Sequence, residues 1–305
     1  MSNVSKKHPL DGSFSHLSIT YHDSLLHVTH VKLNRPQKRN AINAQMWREI
    51  GEAFRKIGTI GDGTRCVLLS GSGKGFCGGI DVTDEKFFAG IISPNDNNND
   101  DESSIDIARK ALAFKPQISQ MQAAFTAVEE CPVPVVAAIH GACVGAGIDL
   151  VCCADVRICS PNTIFSIREA RLGLAADVGT LQRFPKLVGF GSFVRELCFT
   201  GDDFSSEDSL KIGFVSRISN SDSQLFEEAK VVISKIIANS PVAVAVTKSS
   251  LNYSRDHTVR EGLDHVALMN SSALMSDDLV KSFMMTSSRS GEAAEFAPLQ
   301  PHSRL

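Results

Sequence analysis

PVVAAIHGACVGAGIDLVCCADVRICS, residues 134–160, is the stretch on which the fold turns. Val135–Ile139 is an unbroken apolar run of strand length, and Val156–Cys159 is a second one. Between them the glycines at 141, 145 and 147 mark a tight turn, and an apolar helix carrying Asp149 follows. The run from Pro134 to Val156 is long enough to invite a membrane reading. His140, three glycines and a carboxylate deep inside it make a spanning helix too unfavourable. A buried strand, a turn and a buried helix remain, and no membrane insertion is expected.

Toward the N-terminus, Cys66 to Leu69 reads as another strand, and Leu26, Val28 and Val31 suggest an earlier one. Asn43 can cap an intervening helix on which Met46, Trp47, Ile50, Phe54 and Ile57 share one face. Toward the C-terminus a further strand is expected from Phe214 to Ile218. Strands alternating with helices make this an α/β fold. From Ser223 onward the pattern is purely helical. Leu225, Phe226, Ala229, Val232, Ile233, Ile236 and Ile237 form one stripe, Ser240 and Pro241 read as cap and first-turn proline, Thr258 and Glu261 as a capping box, and a last helix follows Ser276. This change of pattern places a boundary near residue 221. Residues 1–14 are expected to be a flexible extension, SPNDNNNDDES (93–103) a mobile polar loop and 291–305 a flexible tail.

With 31 basic against 34 acidic residues the formal charge is −3, and 43% of the 305 residues are apolar. That composition suits a soluble globular chain with a large core and lacks the basic footprint of a nucleic-acid binder. Eight cysteines sit mostly in apolar runs without zinc spacing, and His22, His27 and His30 fall on a strand or its flanks, so no metal site is expected. The first fourteen residues have neither the apolar centre of a signal peptide nor the Arg-rich character of a transit peptide. Ser303, Arg304 and Leu305 form a conservative variant of the C-terminal Ser-Lys-Leu read by the peroxisomal import receptor, so a peroxisomal location is expected.

Two glycine-rich turns carry the chemistry: GKGFCGGID (73–81) after one strand and HGACVGAGIDL (140–150) after another. Neither fits a phosphate loop or a dinucleotide fingerprint. Both expose backbone N–H groups at a strand-to-helix turn, which is how an enolate or oxyanion is stabilised. Three carboxylates accompany them: Asp149, Glu169 in FSIREARLGL (165–174) and Asp177 in LAADVGTLQRFPKLVG (174–189). An acid among apolar residues is desolvated, which raises its pKa and suits it to proton transfer. Each has a competing use. Asp149 can cap its helix, Glu169 can pair with Arg168 or Arg171, and Asp177 can make the Asx turn before Gly179.

The pieces LNRPQKRNAIN (33–43), GFCGGIDV (75–82), residues 134–160 and TGDDFSSEDSLKIGFVSRI (200–218) resemble, in order, the crotonase (enoyl-CoA hydratase/isomerase) superfamily over roughly residues 15–290. The resemblance implies a spiral of ββα units over 15–221 and a helical trimerisation region over 222–290, as homotrimers or homohexamers. It also implies acyl-CoA thioester substrates. The run 172–189 is most similar to the Δ3,5-Δ2,4-dienoyl-CoA isomerases, which share an Asp at the first acid position, a Glu at the second and an extra Asp eight residues later. By the same resemblance the oxyanion hole is the N–H of Ile80 and of Ala146, the catalytic acids are Asp149, Glu169 and Asp177, and Gly79, Ile80, Asp81, Val82, Thr83 and Ala146 contact the acyl-CoA. Lys38, Arg39 and Lys281 are candidates for its phosphates. Glu169 would take a proton from C2 and Asp177 return one at C6, or the reverse, with Asp149 tuning or positioning. No cofactor is implied, because CoA is part of the substrate. The rival readings are an enoyl-CoA hydratase, which Asp177 and the shorter Asp149 disfavour, and a non-catalytic RNA-binding or scaffold protein.

Overall fold

In the computed structural model, residues 7–84, 107–189, 191–288 and 295–299 are described. The strands Leu17–Tyr21 (β1), Val28–Leu33 (β2), Cys66–Gly71 (β3), Val135–Ile139 (β4), Ala142–Val144 (β5), Val156–Cys159 (β6), Ile164–Ser166 (β7), Asp203–Ser205 (β8) and Arg217–Ile218 (β9) make two sheets. The larger has the order β1-β2-β3-β4-β6-β9, with β1 antiparallel to β2 and every later pair parallel. The smaller has the order β5-β7-β8. β4 and β5 are separated only by a turn and are followed by the helix Ala146–Cys152, so one ββα unit occupies the stretch that looked long enough for a membrane. Among the described residues no single helix is long and apolar enough to cross one.

β4 is buried along its whole length, as a parallel strand covered on both faces should be. Its residues alternate between two cores. Val135, Ala137 and Ile139 join the main cluster with Val67 and Leu69 of β3. Val136 and Ala138 join a smaller one with Cys66, Leu68 and Ile158. The helix Ala44–Ile57 (α1) starts where its cap predicts, with the Met46 N–H donating to Asn43 Oδ1 at 2.9 Å, and buries the expected stripe. It packs on the helix Ile107–Glu129 (α2), where Trp47 stacks on Phe125 at 4.7 Å between ring centroids. Gly51 permits the approach, since a Cβ there would lie 2.9 Å from the Ala124 Cα.

Several expectations are revised. Residues 7–14 are seated rather than free. Buried His8 contacts Thr29 Oγ1 at 3.2 Å and Asp62 at 3.2 Å, and Leu10 enters the main core. The boundary near 221 does not divide the packing, because the helix Leu225–Ile237 lays Leu225, Ala229 and Ile233 over the outer face of the large sheet. The tail is fixed over 295–299, where Phe296 is buried, its carbonyl accepts from Arg65 and Leu299 packs on the core. Phe214 and Val215 are buried, but only Arg217–Ile218 pairs as a strand, and Leu26 is exposed ahead of β2. The loop 93–103 and Ser303 to Leu305 lie outside the described residues. The helices Pro241–Ser254, Val259–Ala273 and Asp277–Ser288 lie between Ile237 and the tail at 295–299, with Ser240 and the Thr258/Glu261 box capping the first two as expected.

Candidate active site

The two glycine-rich turns are joined side by side. The Phe76 N–H donates to the His140 carbonyl (2.8 Å), the Cys77 N–H to that of Ala142 (2.9 Å) and the Val144 N–H to that of Cys77 (3.0 Å). Gly147 lies beneath this ladder, where a Cβ would come within 2.9 Å of the Cys77 Cβ. Gly145 has φ +53°, a conformation that favours glycine, and a Cβ on it would sit 3.2 Å from Glu169 Oε1 and 3.8 Å from the Gly79 Cα. Both turns and the Glu169 carboxylate therefore converge on one point.

Ile80 follows Gly79 and Ala146 follows Gly145. Ile80 lies in a parallel bridge with Ile42, in which the Ile42 N–H donates to the Gly79 carbonyl at 2.8 Å and the Asp81 N–H to that of Ile42 at 3.0 Å. A strand's N–H groups alternate sides, so the Ile80 N–H faces away from Ile42. Ala146 opens its helix, where the first N–H groups have no partner within the helix. Among the described residues neither N–H has a protein acceptor.

The first turn is held by residues whose roles were not readable from spacing. Asn40, fully buried at φ +55°, accepts from the Arg35 N–H at 2.9 Å and donates to the carbonyls of Ser72 (2.8 Å) and Gly75 (2.9 Å). Asn tolerates the left-handed region better than most residues, which is the signal its position carries. Arg35 pairs with Asp81 at 2.9 Å, and Asp81 also accepts from the N–H and hydroxyl of Thr83, so its carboxyl is held below the ordinary range. Asp81 was expected among the acyl-CoA contacts, but its side chain is engaged inside the fold and shapes the turn. Val82 and Thr83 are exposed beside it, and Lys38 Nζ donates to Thr83 Oγ1 at 3.1 Å.

Asp149 is the fourth residue of its helix, which Gly145 caps, so it is not the cap. Its side chain is fully buried, with Oδ1 accepting from the Thr180 N–H at 2.6 Å and Oδ2 unpartnered. Burial, reinforced by the charges of Glu169 and Asp177, pushes it up to about 7 against the pull of the Thr180 bond. Glu169 is 6% exposed with Oε2 unpartnered, and burial, then the charge of Asp177, raises it too.

Neither neighbouring arginine takes the Glu169 carboxylate. Arg168 bonds Ser166 Oγ (3.0 Å) and Asp203 (2.6 Å), and Arg171 bonds the Thr200 carbonyl and Asp202. Asp177 is exposed in the single chain. Its charge acts on both other acids, and its carbonyl, not its carboxylate, takes the hydrogen bond of Gln122 at 2.6 Å. Three acids separated in sequence thus share one electrostatic neighbourhood beside two unpartnered N–H groups.

A family model described as enoyl-CoA hydratase/isomerase matches residues 26–93 and 107–289. The chain belongs to the enoyl-CoA hydratase/isomerase family. It is 43% identical over 276 residues to the mitochondrial Δ3,5-Δ2,4-dienoyl-CoA isomerase of Homo sapiens, covering 90% of this chain and 80% of that one. It is 39% identical to the peroxisomal Δ3,5-Δ2,4-dienoyl-CoA isomerase of Arabidopsis thaliana, covering 88% and 92%. Its fold is similar to that of a solved enoyl-CoA hydratase from Bacillus anthracis, with a TM-score of 0.76 and 23% identity over 94% of this chain and 99% of that one.

Proposed function

We propose that this member of the family converts 3,5-dienoyl-CoA to 2,4-dienoyl-CoA, in the β-oxidation of unsaturated fatty acids. The observation that carries the reading is the pair of buried, incompletely bonded carboxylates Asp149 and Glu169, with Asp177 acting on both, beside the N–H groups of Ile80 and Ala146. The dienoyl-CoA isomerase relatives of this chain support it. The thioester oxygen accepts from the two N–H groups, which stabilise the charge that develops on it. Glu169, whose raised pKa makes it a stronger base, removes a proton from C2. The electron pair delocalises as a dienolate to C6, where Asp177 delivers a proton and the 2,4-diene forms. Asp149 has the tuning or positioning role, its own ionisation held back by burial and by the charge of Glu169. The step starts with Glu169 ionised and Asp177 protonated and ends with the reverse, and exchange with water returns the proton to Asp177 and frees Glu169. No electrons pass to or from the substrate, so the reaction draws on no redox cofactor, and CoA enters as part of the substrate.

Exposed Leu251, Val259, Leu263, Leu268 and Met284 on the last helices support assembly as homotrimers or homohexamers, readable by sedimentation. The terminal Ser303, Arg304 and Leu305 support peroxisomal import. A fluorescent fusion that stays equally diffuse with and without them would remove that reading.

The deciding experiment gives purified protein a 3,5-dienoyl-CoA and follows the ultraviolet absorbance of the conjugated product, beside Asp177→Asn and a 2-enoyl-CoA hydration assay. Conversion that collapses in Asp177→Asn, with little hydration, is expected. Hydration without diene formation would make the protein a hydratase, and silence in both would favour a non-catalytic role.

A further inference from the structure

Gln122, Thr126 and Glu129 recur at helical spacing on α2, so they share one face of it. All three bear on the turn that joins two of the acids. Gln122 Nε2 donates to the Asp177 carbonyl at 2.6 Å. Arg183 Nη2 donates to Thr126 Oγ1 at 3.0 Å and to Glu129 Oε2 at 2.8 Å, and its Nε reaches the same carboxylate oxygen at 3.0 Å. The guanidinium so held lies against Gly179, at φ +139°, where any Cβ would strike it. Arg255 closes the other side of Glu129. One residue after Gly179, the Thr180 N–H makes the hydrogen bond to Asp149.

Four residues, 177–180, therefore supply one acid and the backbone donor to another. These side chains and Gly179 border a cavity of about 380 Å³, so hydrogen bonds rather than close packing hold the outer side of the turn. An adjoining face of α2 is anchored independently by the stack of Trp47 on Phe125, and Trp47 Nε1–H also donates to the Met121 carbonyl at 2.9 Å. A fixed helix thus presents a row of polar side chains to the outer side of the turn, whose inner side is seated in the core by Val178 and by buried Thr180.

We propose that Gln122, Thr126 and Glu129, with Arg183, are positioning residues: a latch that sets the turn 177–180 and, through it, both the place of Asp177 and the hydrogen bond to Asp149. They touch no reacting atom and act through the two acids. The consequence for rate rests on the isomerase reading, whereas the latch itself does not. A turn released by a fraction of an ångström misplaces the group that delivers the proton, which lowers kcat more than substrate binding.

Two measurements on the full chain test this. In the 3,5-dienoyl-CoA assay, Gln122→Ala and the isosteric Gln122→Glu, which lacks the donor, should lower kcat about tenfold with KM held within about twofold. Gln122→Lys, which keeps a donor of similar reach, should recover most of the loss. Amide hydrogen exchange across 177–181 needs no substrate, and there Gln122→Ala and Glu129→Gln should speed exchange at Thr180 about tenfold or more while β4 stays protected. Unchanged exchange at Thr180 in both variants would overturn the latch. So would an active wild type whose kcat is the same in Gln122→Ala and Gln122→Glu. A wild type that turns over no dienoyl-CoA but shows the exchange effect would retain the latch and remove the isomerase reading instead.

Discussion

Replacing Asp149 by Asn should make the protein more stable at alkaline pH while disabling it. Asp149 ionises near 3.8 when solvated and near about 7 in its buried site, because burial and two neighbouring acids disfavour its charge. A carboxyl with a raised folded pKa destabilises the native state as pH rises past its unfolded value, and the penalty is complete above its folded one. At about 1.4 kcal/mol for each pH unit between those two values, the penalty reaches roughly 4 kcal/mol near pH 8, and about 1.5–2 kcal/mol near pH 5. Asn keeps an oxygen for the Thr180 N–H but sets an NH2 where Oδ2 has no partner, at a cost of about 1–3 kcal/mol that does not vary with pH. The difference in stability between Asp149→Asn and wild type should therefore move in the variant's favour by about 2–3 kcal/mol between pH 5 and pH 8. Urea unfolding at both pH values, at one protein concentration, reads that double difference free of the amide's packing cost. In the same variant the maximal rate should fall, while the acid limb of the rate profile should stay in place, because burial and the charge of Asp177, not Asp149, raise Glu169. Stability curves that run parallel from pH 5 to pH 8 would refute the claim that Asp149 is held in a strained ionisation.

Gly145→Ala places a methyl 3.2 Å from Glu169 Oε1 on a backbone at φ +53°, so it combines strain of about 1–3 kcal/mol with displacement of the base. The expected result is a kcat at least about tenfold lower, and steady-state rates within twofold of wild type would count against convergence of the turns on Glu169. Asp81→Asn leaves the Arg35 guanidinium buried without its counter-charge and should lower the unfolding free energy by about 3 kcal/mol, measured in urea. A loss below about 1 kcal/mol would mean that the pair does not hold the first turn.

Local signals were the legible ones. Val135–Ile139 and Val156–Cys159 occur as read because a continuous apolar run of that length suits a strand buried on both faces. Asn43, Ser240 and Thr258 cap as read because a cap is a contact over three residues. β1 carries a local signal too, since Leu17, Ile19 and Tyr21 alternate. What spacing cannot carry is contact across the chain. His8 next to Asp62, Leu225 on the outer face of the sheet and Phe296 below Arg65 all depend on tertiary packing, and each turned an expected loose end or boundary into part of the body. The acids were found by their setting in apolar or turn sequence, but the row on α2 that faces Asp177 gives no signal in a helix whose side chains are mostly exposed.

The arginines near the acids explain why the acids stay basic. Arg35, Arg168, Arg171 and Arg183 border the two turns and the acid-bearing segments, and one guanidinium in contact with Glu169 or Asp149 would pull its pKa down and weaken it as a base. Each is instead taken by a carboxylate with no part in the proposed chemistry: Asp81, Asp203, Asp202 and Glu129 respectively. Glu169 and Asp149 are left with burial and neighbouring carboxylates, Asp177 for Glu169 and both Glu169 and Asp177 for Asp149, and both shift upward. The same pairs do mechanical work, since Arg35 with Asp81 sets the first turn and Arg183 with Glu129 holds the last. Positive charge near this site therefore serves as structure already neutralised, so a substitution that frees any of these arginines should disturb the acids by charge as well as by position.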